Sequence, residues 1–199
     1  MMKKILIIGA TGSIGSEVTA HLLDEMDTQL TLLARHVNQP NQERVTWVQG
    51  DATNLVQLEK VMRNQDAVFV AVSGQLAQVA KAVVTTMTKL QIHKLVFIAS
   101  MGIYNEIPAS IGASGNLASN GMLQAYRQAA DIVTESTLNY TVIRPGWFDQ
   151  GSHDYEVTGR NEPFGGHDVS RWAIADLVRR VLEDEQLYAR TSVGINRPQ

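Results

Sequence analysis

The chain has 199 residues, a formal net charge of −3, 44% hydrophobic and 19% charged residues, and no cysteine. That composition suits one globular domain with a well-buried core, 1–199, and the missing cysteine removes disulfides, zinc–thiolate sites, iron–sulfur clusters and a catalytic thiol. Lys and Arg are scattered apart from Lys3-Lys4 and Arg179-Arg180, so neither nucleic acid nor an anionic membrane is expected as a partner.

Lys3-Lys4 before Ile5-Leu6-Ile7-Ile8 superficially imitates a signal peptide, but the apolar run stops at Gly9. It is too short for a leader or a membrane span. A buried central strand, Lys4–Ile8, in a cytoplasmic protein is expected instead. A tight turn, Gly9–Gly12, leads into a helix over Ser13–Glu25, where Ile14, Val18, Leu22 and Leu23 repeat at helical spacing. Strands follow at Leu30–Ala34 and Val45–Val48, then a short helix at Leu55–Met62 and a strand at Ala67–Val72. Gln75–Leu90 carries Leu76, Val79, Val83 and Met87 on one face and reads as a helix. Leu95–Ala99 is the fifth strand, and Ser100 to Asn120 is loop-like. Leu123–Ser136 is helical, and Tyr140–Ile143 is a strand stopped by Pro145-Gly146. Trp147–Gly166 is irregular, with a short strand pair around Tyr155–Val157. Ser170–Glu183 is the last helix and Thr191–Ile195 a closing strand. Alternating strands and helices predict an α/β fold with a doubly wound parallel sheet of Rossmann type, and a small substrate-side lobe made by the loops after strands five and six.

Gly9-Ala-Thr-Gly12-Ser-Ile-Gly15 follows a strand and opens a helix, the context a dinucleotide-binding turn requires. The first glycine allows the sharp turn, the second lets the backbone approach a pyrophosphate, and the third lets the helix pack close to the sheet. The helix start at Ser13 and Ile14 presents unpaired N–H groups to phosphate, and Thr11 and Ser13 add hydroxyls. An NAD site places Asp or Glu roughly 20 residues past the glycines to take the ribose 2′-hydroxyl. Here the second strand ends Leu33-Ala34-Arg35-His36. A guanidinium without a neighbouring acid suits a 2′-phosphate, so the expected cofactor is NADP(H). Ser73-Gly74, after the fourth strand, falls where the chain runs beside the cofactor. The five histidines and the dispersed carboxylates show no metal-ligand spacing, and no metal is expected.

From end to end the sequence resembles the atypical short-chain dehydrogenase/reductases with an NAD(P)H-binding, NmrA-like domain, including the flavin reductase/biliverdin reductase B group and the NmrA-like quinone reductases. The resemblance rests on the glycine turn, Arg35, Gly50-Asp51-Ala52, Phe97-Ile-Ala-Ser100-Met-Gly102, Tyr140-Thr-Val-Ile-Arg-Pro-Gly146 and Val169-Ser-Arg171. It implies that Asp51, with Ala52, meets the adenine; capping of the next helix is the alternative for that aspartate. It further implies that Pro145 and Gly146 pass beside the nicotinamide, that Ser100 is a catalytic serine, and that a homodimer is the expected assembly. Tyr104, in the next loop, is a second catalytic candidate. Trp147 and Phe148 are candidates for an aromatic pocket wall, with core packing as the alternative. Arg144 and Arg171 are read as structural ion-pair formers, and His153-Asp154 and His167-Asp168 as solvated loop residues.

One departure is decisive. Relatives that oxidise alcohols carry Tyr-x-x-x-Lys, whose lysine tunes the phenol for proton transfer. Here Tyr126 is followed four positions later by Ala130, while Arg127 stands where relatives often carry the lysine, with Leu123 at the tyrosine's position, and is expected to hold ribose hydroxyls or phosphate. The cofactor carries the hydride chemistry by itself, and quinones and flavins need no tuned tyrosine. The sequence therefore points to an NADP(H)-dependent reductase of a quinone, flavin or carbonyl compound. A non-catalytic NADP(H) sensor and a sugar-nucleotide epimerase or dehydratase are the alternatives.

Overall fold

The structure, a computed structural model, describes residues 2–198. Its strands are β1 (Lys3–Ile8), β2 (Thr28–Ala34), β3 (Val45–Gln49), β4 (Ala67–Val70), β5 (Lys94–Ile98), β6 (Asn139–Pro145), β7 (Trp147–Asp149), β8 (Glu156–Thr158), β9 (Asp168–Ser170) and β10 (Thr191–Asn196). The helices are α1 (Ser13–Glu25), α2 (Leu55–Met62), α3 (Leu76–Leu90), α4 (Gln124–Thr134) and α5 (Arg171–Glu183). The main sheet runs β3-β2-β1-β4-β5-β6-β10-β8. All neighbours are parallel except the edge strand β8, which is antiparallel to β10. This is the Rossmann-type α/β architecture.

The central strands are apolar on both faces because both faces are covered. Successive side chains point to opposite sides. Leu6, Ile8, Val68, Val70, Leu95, Phe97 and Val142 enter one core beneath α2, α3 and α4. Ile5, Ile7, Phe69, Val96, Ile98 and Ile143 enter the other, beneath α1 and α5. From β1 the chain winds outward to β3, then returns to place β4 on the other side of β1. The order therefore reverses between β1 and β4, and a crevice for a ligand opens there at the carboxyl ends of the strands.

α1 and α2 have the bounds their sequence periodicity predicts. β4 stops at Val70 rather than Val72, because its pairing with β1 ends at Ile8↔Val70 and the chain then peels away towards Gly74, φ +78. β6 runs on to Pro145 because β10 lies alongside it as far as Ile195↔Pro145. Ser170 is not helical: its hydroxyl accepts the Ala173 amide at 3.1 Å and caps α5. The expected strand pair around Tyr155–Val157 is instead a single strand, β8, joined to the main sheet. β7 and β9 form a separate two-stranded parallel ribbon that the sequence does not announce, since three-residue strands carry no readable period. Among the described residues no helix is long and apolar enough to cross a membrane.

Candidate functional site

Gly9 has φ +89, and a Cβ there would sit 2.1 Å from the Ala71 carbonyl oxygen. A Cβ on Gly15 would sit 2.2 Å from the Gly9 oxygen. These two glycines let the end of β1 press against the exit of β4, and α1 press against the turn. Gly12 is different: its nearest protein atom in the Cβ direction is the Gly9 oxygen at 3.2 Å. It is the N-cap residue of α1, and no side chain caps that helix. By contrast, the Asn54 side chain accepts two amides at the start of α2. The first-turn amides of α1 lack intrahelical acceptors and stand at the positive end of the helix dipole. An uncapped helix start with a bare Gly12 beside it fits a dinucleotide diphosphate.

Beside the turn lies a cleft of about 300 Å³. Its walls come from Gly9, Thr11 and Gly12, from Leu33–Arg35 at the end of β2, from Gly50–Thr53 after β3 and from Ala71–Gln75 after β4. Arg35, Asp51, Ala52, Ser73 and Gly74 thus converge from three separate strand ends. Leu33, Val72 and Val79 supply apolar surface that suits a flat base. These walls, with Thr53 and Gln75, are not singled out by the sequence, although their positions just past strand ends mark them. Asp51 accepts the Thr53 amide and hydroxyl, both at 2.8 Å. The Thr53 amide, then its hydroxyl, hold the Asp51 carboxyl below the usual carboxylate range, and the Arg35 charge adds to this. The helix-capping role open to Asp51 belongs instead to Asn54. Ser13 lies outside this cleft and borders an open groove with Ser16, Glu17, Gln150 and Arg171. Ile14 packs into the core beneath α1.

The other expected site residues gather at the ends of β5 and β6. The Ala99 amide donates to the Ile143 oxygen at 2.8 Å and the Met101 amide to the Pro145 oxygen at 3.2 Å. Ser100 is thereby held beside Pro145 and Gly146, its hydroxyl donating to the Met101 oxygen at 3.1 Å. A Cβ on Gly146 would lie 2.4 Å from the His167 oxygen, so only glycine fits there. Trp147 and Phe148 are 69% and 41% exposed, which excludes core packing for both. Trp147 stacks parallel to His167 at 6.0 Å, and the Arg171 guanidinium lies 5.1 Å from the Phe148 ring. His167 Nδ1 is 2.6 Å from Asp168 Oδ1, and His153 stacks on Trp172 at 4.1 Å. Arg171 makes no ion pair among the described residues; it donates to the Asp149 carbonyl at 2.9 Å.

On α4, Tyr126 is half-buried against the core and Ala130 is fully buried. Arg127 Nε donates to both Asp131 carboxylate oxygens, at 2.8 and 2.9 Å, and Nη1 to the Ile103 carbonyl at 3.2 Å. The structure thus places Arg127 against the loop after β5, not in the cleft. Tyr104 sits in that loop, with its hydroxyl buried and without a hydrogen-bond partner among the described residues.

Under this loop lies an ionic knot. Arg144, on β6, is fully buried. It pairs with the Glu106 carboxylate and donates to Ser192 Oγ at 3.1 Å and to the Gly159 oxygen at 3.0 Å. Glu106 also accepts the Gly102 amide at 3.1 Å and the Tyr104 amide at 2.8 Å. Burial pushes the Arg144 guanidinium down from its ordinary value, and the Glu106 charge opposes this. Arg144 is the structural ion-pair former its sequence suggests; nothing in the sequence marks Glu106.

Comparisons with known proteins agree with this geometry. The NAD(P)H-binding family profile matches residues 9–185. No curated protein matches the chain. Among solved structures, a wide-type short-chain dehydrogenase/reductase from Veillonella parvula, in complex with NADP, is 30% identical with a TM-score of 0.89; the match covers 100% of this chain and 96% of that one. A Rossmann-fold NAD(P)-binding family protein from Shigella flexneri is 32% identical with a TM-score of 0.85, covering 100% of this chain and 95% of that one. A more distant structure from Bacteroides thetaiotaomicron, 18% identical, shares the fold alone. By its glycine turn, its sheet order and these matches, the chain belongs to the NAD(P)H-binding family of short-chain dehydrogenase/reductase-type Rossmann proteins.

Proposed function

We propose that the protein is an NADP(H)-dependent oxidoreductase that passes hydride to a planar acceptor, a quinone or a flavin. The observation that carries the reading is α4: Tyr126 is followed four positions on by the fully buried Ala130, and Arg127, where relatives often carry the lysine, is preceded four positions back by Leu123 and is turned to Asp131. No amine is there to tune a phenol for alcohol chemistry. An acceptor whose reduced form takes its proton from water does not need one.

The chain's own residues have clear tasks in this reading. The first turn of α1 and the bare Gly12 bind the diphosphate. Arg35, with no carboxylate at the end of β2, takes the 2′-phosphate through its guanidinium fork. Asp51 and the apolar walls hold the adenine end. Pro145 and Gly146 pass beside the reacting ring, and the Ser100 hydroxyl turns to a carbonyl there. When bound, the dinucleotide supplies the hydride. The exposed Trp147 and Phe148 offer aromatic surface to a flat acceptor.

The test is turnover of purified protein with NADPH against quinones, flavins and aldehydes, followed at the nicotinamide absorbance. Oxidation is expected with a quinone or a flavin. Tight NADPH binding without oxidation by any acceptor would refute the proposal in favour of a sensor.

A further inference from the structure

We propose that Arg160, with Tyr104 and Arg127, forms a receptor for an anionic group, a phosphate or carboxylate, carried by the acceptor. This rests on the hydride-transfer reading above and adds a substrate class to it.

Three guanidinium groups from three elements converge on the Tyr104 ring. Arg160, in the loop after β8, has its Cζ 4.3 Å from the ring centroid; Arg127, in the first turn of α4, lies at 4.9 Å, and Arg144, on β6, at 5.1 Å. Acids answer two of these charges. Arg127 is paired with Asp131 and Arg144 with the buried Glu106. Arg160 makes no ion pair among the described residues. The nearby Glu162 carboxylate is engaged by the Gly159 amide at 2.6 Å. The cluster therefore holds one guanidinium with no carboxylate at ion-pair distance among the described residues, on an exposed side chain.

The second observation is independent of charge. The Tyr104 hydroxyl is shut from solvent and has no hydrogen-bond partner among the described residues. A buried polar group left unpaired is costly, and a ligand oxygen would satisfy this one. Arg160 lies over that ring on a flexible stem. The Arg160 fork and the Tyr104 phenol lie close enough to act on one anion, and a phenol and a guanidinium together make a donor set for phosphate or carboxylate.

The place fits an acceptor and not the cofactor. Tyr104 lies three residues beyond Met101, whose amide is bonded to the Pro145 oxygen beside Gly146. The cluster is thus on the β5–β6 side of the molecule. Arg35 and the uncapped α1, which suit the dinucleotide's own phosphates, line the cleft on the β1–β4 side. An acceptor ring beside Gly146 would send an acidic side arm towards Tyr104.

The experiment compares acceptors with one reactive ring and different charge: riboflavin against riboflavin phosphate, and a naphthoquinone against its sulfonated form. With saturating NADPH, the anionic member of whichever pair is reduced should have the higher kcat/KM, by about tenfold or more. Arg160→Gln should erase that preference while leaving the neutral acceptor and the KM for NADPH unchanged, and the loss of one exposed cation–π contact should lower the melting temperature by no more than about 4 °C. Tyr104→Phe should remove part of the preference. Equal reduction of charged and neutral acceptors by the wild type overturns the receptor and leaves hydride transfer standing, and so does a preference that survives Arg160→Gln. A raised KM for NADPH in Arg160→Gln assigns the charge to the cofactor and overturns the receptor too. No reduction of any acceptor overturns both readings.

Discussion

Truncating Glu106 to alanine should be among the most damaging single changes in this molecule. The carboxylate is nearly enclosed, at 7% exposure, against a guanidinium at 0%. Removing it strands the Arg144 charge in the core and unbonds the Gly102 and Tyr104 amides together. Breaking a buried ion pair from one side costs about 3–5 kcal/mol. In a chain of 199 residues each kcal/mol moves the melting temperature by about 2–4 °C, so Glu106→Ala should melt about 6–20 °C below wild type. The assay is thermal and urea unfolding of the protein without cofactor, with the m-value checked for constancy. A double variant, Glu106→Ala with Arg144→Met, removes the stranded charge, so its loss should be smaller than the sum of the single losses by about 0.5–3 kcal/mol. A cost for Glu106→Ala below about 1 kcal/mol, typical of a solvated pair, would refute the reasoning, as would strict additivity.

Arg35→Ala should raise the dissociation constant for NADPH by about 10- to 100-fold, the loss of charge-assisted bonds to one phosphate, and leave NADH nearly unchanged; equal titration-calorimetry effects on both would show that Arg35 does not read the 2′-phosphate. Gly15→Ala places a methyl 2.2 Å from the Gly9 backbone oxygen, so it should displace the start of α1 and cost about 1–3 kcal/mol in unfolding experiments. Gly12→Ala, at 3.2 Å, should fold near normally and lose dinucleotide affinity. A Gly15→Ala melt identical to wild type would contradict the close-packing argument.

How much of this was legible beforehand differs from residue to residue. The βαβ alternation, the bounds of α1 and α2, and the strand-turn-helix context of Gly9, Gly12 and Gly15 are local facts, written in periods of two and 3.6 and in backbone allowances only glycine has. Arg35, Ser73 and Gly74 could be proposed because a doubly wound sheet sets its parallel strands' carboxyl ends along one edge, whereas Asp51 and Ala52 came from the family resemblance. Leu33, Val72 and Val79 escaped notice because an apolar residue in a cleft wall looks like one in a core.

What the sequence by itself determined was the order of elements, the two apolar faces of each inner strand and a turn shaped for a diphosphate. The periodicity and the glycines act within a few residues, so they survive being read in one dimension. Tertiary structure alone decided the rest. It joined Arg144 to Glu106 across 38 positions and turned Arg127 towards Asp131 and the Ile103 carbonyl. It laid β7 beside β9, exposed Trp147 and brought Arg160 over Tyr104. Charge pairing, burial and enclosure depend on which distant segments meet, and no local pattern encodes that meeting.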